Sequence, residues 1–184
     1  MWILIIVLVI LVISVIAIYN SIVSLKLKVD NSWSQIDIQL QRRFDLIPNF
    51  VETVKGYMSH EQETLEKLTE LRTSWTDSSS VQDKAKLDGE ISSALKTIIA
   101  VSENYPELKS NENFIKLSEE LSNTEDKIAY SRQFYNDTVT MYNTKLCVFP
   151  SNIIASIFNF TSANLFKAEN DEVRKNVKID FDNK

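Results

Sequence analysis

The chain has 184 residues, a net charge of −5, two glycines, three prolines and one cysteine. So few turn-forming residues argue against a many-stranded fold, and the lone Cys147 precludes an internal disulfide or a multi-cysteine zinc motif and fits a reducing compartment. Charges of both signs alternate along the chain, so no basic stripe is present for nucleic acid, and none is expected as a partner.

Residues 2–19, WILIIVLVILVISVIAIY, carry no charge. At 1.5 Å per residue they reach about 27 Å, close to the roughly 30 Å hydrocarbon layer, so they are expected to contact the lipid bilayer as a spanning helix. Without a basic leader, a short apolar run or small residues at a cut site, an uncleaved anchor is favoured over a signal peptide. Lys26 and Lys28 follow at once, and the positive-inside rule then puts the N-terminus outside and residues 26–184 in the cytoplasm. The expected division is an anchor over 1–21, a helical bundle over 22–170 and a polar tail over 171–184.

After the anchor, apolar residues fall at Val29, Trp33, Ile36, Leu40, Phe44, Ile47, Val51, Val54 and Met58, in steps of three and four. The register resumes at Leu65, Leu68, Leu71 and Trp75, which predicts one very long helix or two nearly coaxial ones, ended by Ser78, Ser79 and Ser80. A capping box, Ser80 with Asp83, opens a second helix through Leu87, Ile91, Ala94, Leu95, Ile98 and Val101, and Pro106 marks its stop. Asn111 is placed to cap a third long helix carrying Phe114, Leu117, Leu121, Ile128, Tyr135, Val139, Tyr142 and Leu146. Beyond Phe149-Pro150, SNIIASIF predicts a short helix with an apolar face, and VKIDF near the end is either a short extended segment or unordered. The expected fold class is all-α: an antiparallel bundle of three long helices plus a shorter C-terminal helix, preceded by one N-terminal transmembrane helix.

Chemistry-bearing patterns are sparse. His60 is the only histidine and has no HExxH partner, and neither Gly56 nor Gly89 lies in a glycine-rich phosphate loop. One histidine and one cysteine far apart in the chain make no nucleophile–base pair. No cofactor, metal or catalytic residue is therefore expected, and the chain is read as a non-enzyme. More specific is the heptad echo in YNDTVTMYNTKL, where Tyr135-Asn136 recurs as Tyr142-Asn143 on nearly one helix face. Such amides suit the fixing of helix register in a bundle core better than a ligand site.

The stretch RRFDLIPNF, residues 42–50, sets Arg42, Arg43, Asp45, Pro48 and Asn49 within an apolar stripe that keeps its phase. Pro48 lacks an amide donor and crowds the carbonyl of Phe44, so a kink is expected at residues 44–48, costing about 3 kcal/mol if uncompensated. Arg43, Asp45 and Asn49 are close enough to supply polar groups around the opened backbone, and Arg42 is able to reach another helix.

From about Asn31 to Phe181 the chain resembles the LemA family. The likeness runs through NSWSQIDIQLQRRFDLIPNFVETVKGYMSHE, ALKTIIAVSENYPELKSNENFIKLSEELSNTEDKIAYSR and YNDTVTMYNTKLCVFPSNIIA, with RR-x-D-L-I-P-N, Y-P-x-L-K and the two Y-N pairs in order. Ser118, where glutamine is usual, and Asn176, where proline often stands, depart from the pattern. The resemblance implies long antiparallel helices behind one span, usually in a bacterial inner membrane, and it implies no reaction. The expected function is a membrane-anchored scaffold with a protein partner or a homo-oligomer. The alternative is a sensor binding an anionic ligand through Arg42, Arg43, Asp45, Asn49, Arg132, Asn136 and Asn143, guanidinium being suited to phosphate or carboxylate.

Overall fold

The computed structural model describes residues 1–58, 60–78 and 80–167. The expected tail at 171–184, with VKIDF inside it, lies outside the described residues. Those described are all helical apart from turns and one irregular segment. Helix α1 (Trp2–Lys55) is continuous from the apolar N-terminus into the bundle, α2 is Gln62–Asp77 and α3 Val81–Val101. A 3-10 turn at Ser102–Asn104 leads to α4 (Pro106–Lys109), then α5 (Glu112–Cys147) and α6 (Ser151–Ile157).

Residues 62–77 do not prolong α1. Phe44 stacks on Trp75 at 4.1 Å between ring centroids, and Arg72 Nε donates to the Phe44 carbonyl at 3.3 Å, so α2 returns antiparallel along α1. The expected coaxial arrangement is thus replaced by a hairpin. Periodicity reports which face is buried and carries no sign of direction; Leu65, Leu68, Leu71 and Trp75 are buried in the core as the spacing requires, from the other side. The hairpin leaves α1 at Gly56, whose φ of −69° is ordinary helical backbone, so no left-handed glycine advertises the turn.

Helix α3 runs parallel to α1, with Lys84 Nζ 2.7 Å from Asp37 and Ser92 beside Arg43. Its start is held by Ser80, whose Oγ accepts from the Asp83 amide at 3.0 Å while its hydroxyl donates to the Asp83 carboxylate at 2.6 Å. Asn111 Oδ1 caps α5 by accepting from the amides of Asn113 and Phe114. Helix α5 then runs antiparallel to α1, pairing Phe50 with Phe114 at the far end and Trp33 with Tyr135 lower down. One core unites these helices, including Ile36, Leu40, Ile47, Leu68, Ile91, Ile98, Leu121, Ile128 and Val139; each such side chain contributes roughly 1.5–3 kcal/mol on full burial.

Helix α3 begins at Val81, near the level of Trp33 and Asp37, and toward the N-terminus of α1 the pair α1 and α5 continues. Residues 160–167, which have no regular secondary structure, run up the groove left between them as a strap. The strap brings Phe166 into contact with Trp33, at the level where Lys84 of α3 sits 5.8 Å from the same ring. Strap and α3 therefore follow one another along the groove between α1 and α5.

Candidate functional site

The polar residues singled out in the sequence separate into three places. Arg42 faces outward, pairing with Glu120 at 3.0 Å where both are half exposed. Asp45 is exposed and accepts from Gln41 at 3.0 Å, and exposed Asn49 offers its backbone carbonyl to Thr53. Pro48 lies inside α1, which runs on without interruption. The Phe44 carbonyl that Pro48 leaves without an intrahelical donor is the one that Arg72 Nε meets.

Arg43 is the inward arginine, 0% exposed in the middle of the bundle. Its four Nη hydrogens have acceptors: one Nη donates to Ser92 Oγ at 2.9 Å and Glu125 Oε2 at 2.6 Å, the other to the Asp88 carboxylate and the Asp88 carbonyl. Ser92 in turn donates to Glu125 at 2.9 Å, and Arg132 stands 3.5 Å from the second Asp88 oxygen. Burial pushes the Asp88 carboxyl above the usual aspartate range, and the two guanidiniums offset only part of that push. Arg43, three residues after Leu40 and four before Ile47, falls on the apolar face whereas Arg42 does not, so the stripe spacing separates the two; Asp88, Ser92 and Glu125 stand among ordinary surface-type residues. The one signal available was position: Asp88 and Ser92 lie near Ile91 and Leu95 on the apolar side of α3, where a solvated residue is not expected.

Asn136 and Asn143 lie elsewhere, on the face of α5 that holds the strap. Asn143 donates to the Ala163 carbonyl and accepts from the Ala163 amide, both at 2.9 Å. Asn136 does the same to Phe166, at 3.1 and 2.8 Å. Tyr142 donates to the Thr161 carbonyl at 3.0 Å and Tyr135 to that of Asn164 at 2.8 Å. Burial raises both phenols above their ordinary value, which keeps them protonated as donors.

The spacing has a geometric reason. Seven residues of helix rise about 10.5 Å, and three residues of extended chain span about 10 Å, so a heptad of Tyr-Asn pairs meets every third residue of a nearly extended strap. The amides thus read main chain, in place of setting the register of one helix against another. Arg132 connects the two regions, its guanidinium 4.9 Å from the Phe166 ring while it faces Asp88. Chemically the arrangement clamps a peptide backbone and balances buried charge. Among the described residues no group of three or more His, Cys, Asp or Glu side chains is gathered for a metal ion.

The chain is similar to several named proteins. Protein LemA of Metamycoplasma hominis is 29% identical over 146 residues, covering 77% of this chain and 65% of that protein. Magnetosome protein MamQ 2 of Paramagnetospirillum magneticum is 24% identical over 175 residues, covering 81% and 64%. Magnetosome protein MamQ of Magnetospirillum gryphiswaldense is 22% identical over 174 residues, covering 80% and 64%. The chain spans just under two thirds of the length of these relatives. The LemA family profile matches residues 32–181, a range that takes in the Arg43 cluster and the Tyr-Asn ladder with its strap, and the chain belongs to the LemA family.

Proposed function

We propose that this LemA-family chain is a non-enzymatic scaffold tethered in the bacterial inner membrane by residues 2–19, with its N-terminus outside and a cytoplasmic bundle that recruits, or assembles with, other membrane-associated proteins. The observation that carries the reading is the continuity of α1, one helix of 54 residues whose first part is apolar and exposed and whose remainder is the spine of the bundle. From Tyr19 to Gly56 such a helix rises about 55 Å, so the hairpin end is held away from the membrane on a stiff support. Exposed Ile38, Tyr130 and Phe134 give a partner apolar groups to bury. Crosslinking in cells, gentle solubilisation and purification of the full chain should recover a partner or a homo-oligomer. Tyr130→Ser with Phe134→Ser should reduce that recovery, and a lone monomer in repeated preparations would contradict the reading.

An anionic-ligand site is the second reading, and the pairing around Arg43 weighs against it. That guanidinium, the fully buried cation among the candidates, already faces Asp88 and Glu125, and an incoming anion would have to displace one of them. Thermal unfolding with phosphate and with small carboxylates is expected to show no rise in Tm; a concentration-dependent rise would favour the ligand reading.

A further inference from the structure

We propose that α6 and the turns on either side of it form a shoulder that lies in the lipid interface beside the anchor, so that the chain contacts the bilayer through two elements. The proposal rests on the reading that residues 2–19 span the membrane. Its basis is the level at which α6 meets α1. Tyr19 packs on Phe158 at 4.7 Å and on Phe160 at 5.8 Å between centroids, Val15 and Ile18 are partly covered against the core, and Ile22 is fully buried. Val15 to Tyr19 is the last turn of the span. Whatever covers that turn sits where the hydrocarbon meets the headgroup layer, which adds roughly 5–7 Å on each side.

At this level α6 turns apolar groups outward. Ser151, Ile154 and Ala155 are buried, while Ile153 is 50% exposed and Ile157 63%. The flanking Phe149 is 79% exposed and Phe158 51%. Water would disfavour two phenylalanines and two isoleucines shown together on so short an element; an interface rewards them, since aromatic rings and aliphatic side chains enter it from one side.

The charges agree. Residues 1–29 carry only Lys26 and Lys28, and residues 138–166 only Lys145, with no carboxylate in either stretch. This end of the bundle therefore meets anionic headgroups without repulsion.

The test uses the full chain in vesicles of phosphatidylcholine and phosphatidylglycerol. In a Cys147→Ser background, Ile13→Cys, Ile153→Cys, Ile157→Cys and Tyr130→Cys are each labelled with an environment-sensitive fluorophore and exposed to lipids carrying nitroxides at shallow or deep positions. Circular dichroism confirms that each variant keeps its helix content. The expected result is strongest loss of fluorescence from the shallow nitroxide at 153 and 157, from the deep nitroxide at 13, and no loss at 130. Quenching at 13 without quenching at 153 and 157 overturns the shoulder and leaves the anchor standing. Absence of quenching at 13 removes the anchor and the shoulder with it. Self-quenching between labelled copies at 153 and 157, in place of quenching by lipid, assigns the patch to a second copy and also overturns the proposal.

Discussion

Arg43 decides the interior of the bundle, because a guanidinium with no exposure must be balanced on the spot. Arg43→Ala would strand Asp88 and is expected to cost about 3–5 kcal/mol in chemical denaturation, whereas Arg43→Met combined with Asp88→Leu should recover most of that loss. An equal cost for both variants would mean that packing, and not charge balance, sets the site. Asp88 also gives the pH dependence a sign. Its folded pKa is raised by burial, so between the ordinary aspartate range and that raised value the folded protein binds the proton more tightly than the unfolded chain. Its contribution to stability therefore declines as pH rises through that window and levels off above it. The unfolding free energy of the parent minus that of Asp88→Asn should accordingly fall as pH rises above the ordinary aspartate range; a rising difference would contradict the assignment. The inward arginine is marked by position, since Arg43 stands three residues after Leu40 and four before Ile47 while Arg42 is off that face; what the sequence does not show is which groups on α3 and α5 balance its charge. The core side chains were legible, because burial alone imposes the three-and-four spacing that Leu40, Phe44 and Ile47 display.

Two elements carry most of what the sequence concealed. The strap at 160–167 has no period of its own to read, and its clue lay on another element, in Tyr-Asn pairs equipped to hydrogen-bond a backbone. Asn136→Ala or Asn143→Ala removes a reciprocal pair of hydrogen bonds and is expected to cost about 1–3 kcal/mol. Amide exchange should accelerate at Phe166 in the first variant and at Ala163 in the second, and unchanged exchange would count against the clamp. The α1–α2 hairpin was hidden for a different reason: apolar phase continues across it. Its consequence is that Arg72 comes to lie against the backbone freed by Pro48. We propose that α1 bends at residues 44–48 and that Arg72 satisfies the exposed Phe44 carbonyl. Pro48→Ala restores the intrahelical donor, so Arg72→Ala should cost less in that background, with a coupling of about 0.5–1.5 kcal/mol in a double-mutant cycle. Strict additivity would separate the two residues. The helix starts at Ser80 and Asn111, by contrast, were readable, because a capping side chain acts within three residues of itself.

At the scale of the whole molecule, the apolar segment, the bundle spine and the span of the clamped strap share one axis. A helix long and apolar enough to cross a membrane was legible from the sequence, since about 20 apolar residues match the hydrocarbon thickness. The continuity of that helix with the bundle was also legible, because no glycine or proline interrupts residues 2–47. Whether a partner docks on the bundle was not legible, as a partner surface imposes no period on the chain that presents it. The account depends on the bundle standing on the bilayer as an extension of its own anchor. Neutron reflectometry of the full chain in a supported bilayer measures this as the thickness of the protein layer. A layer reaching about 50 Å beyond the headgroups, the rise of α1 between Tyr19 and Gly56 less the headgroup layer, is the expected result; a layer of about 25 Å or less, two helix diameters lying flat, would contradict it.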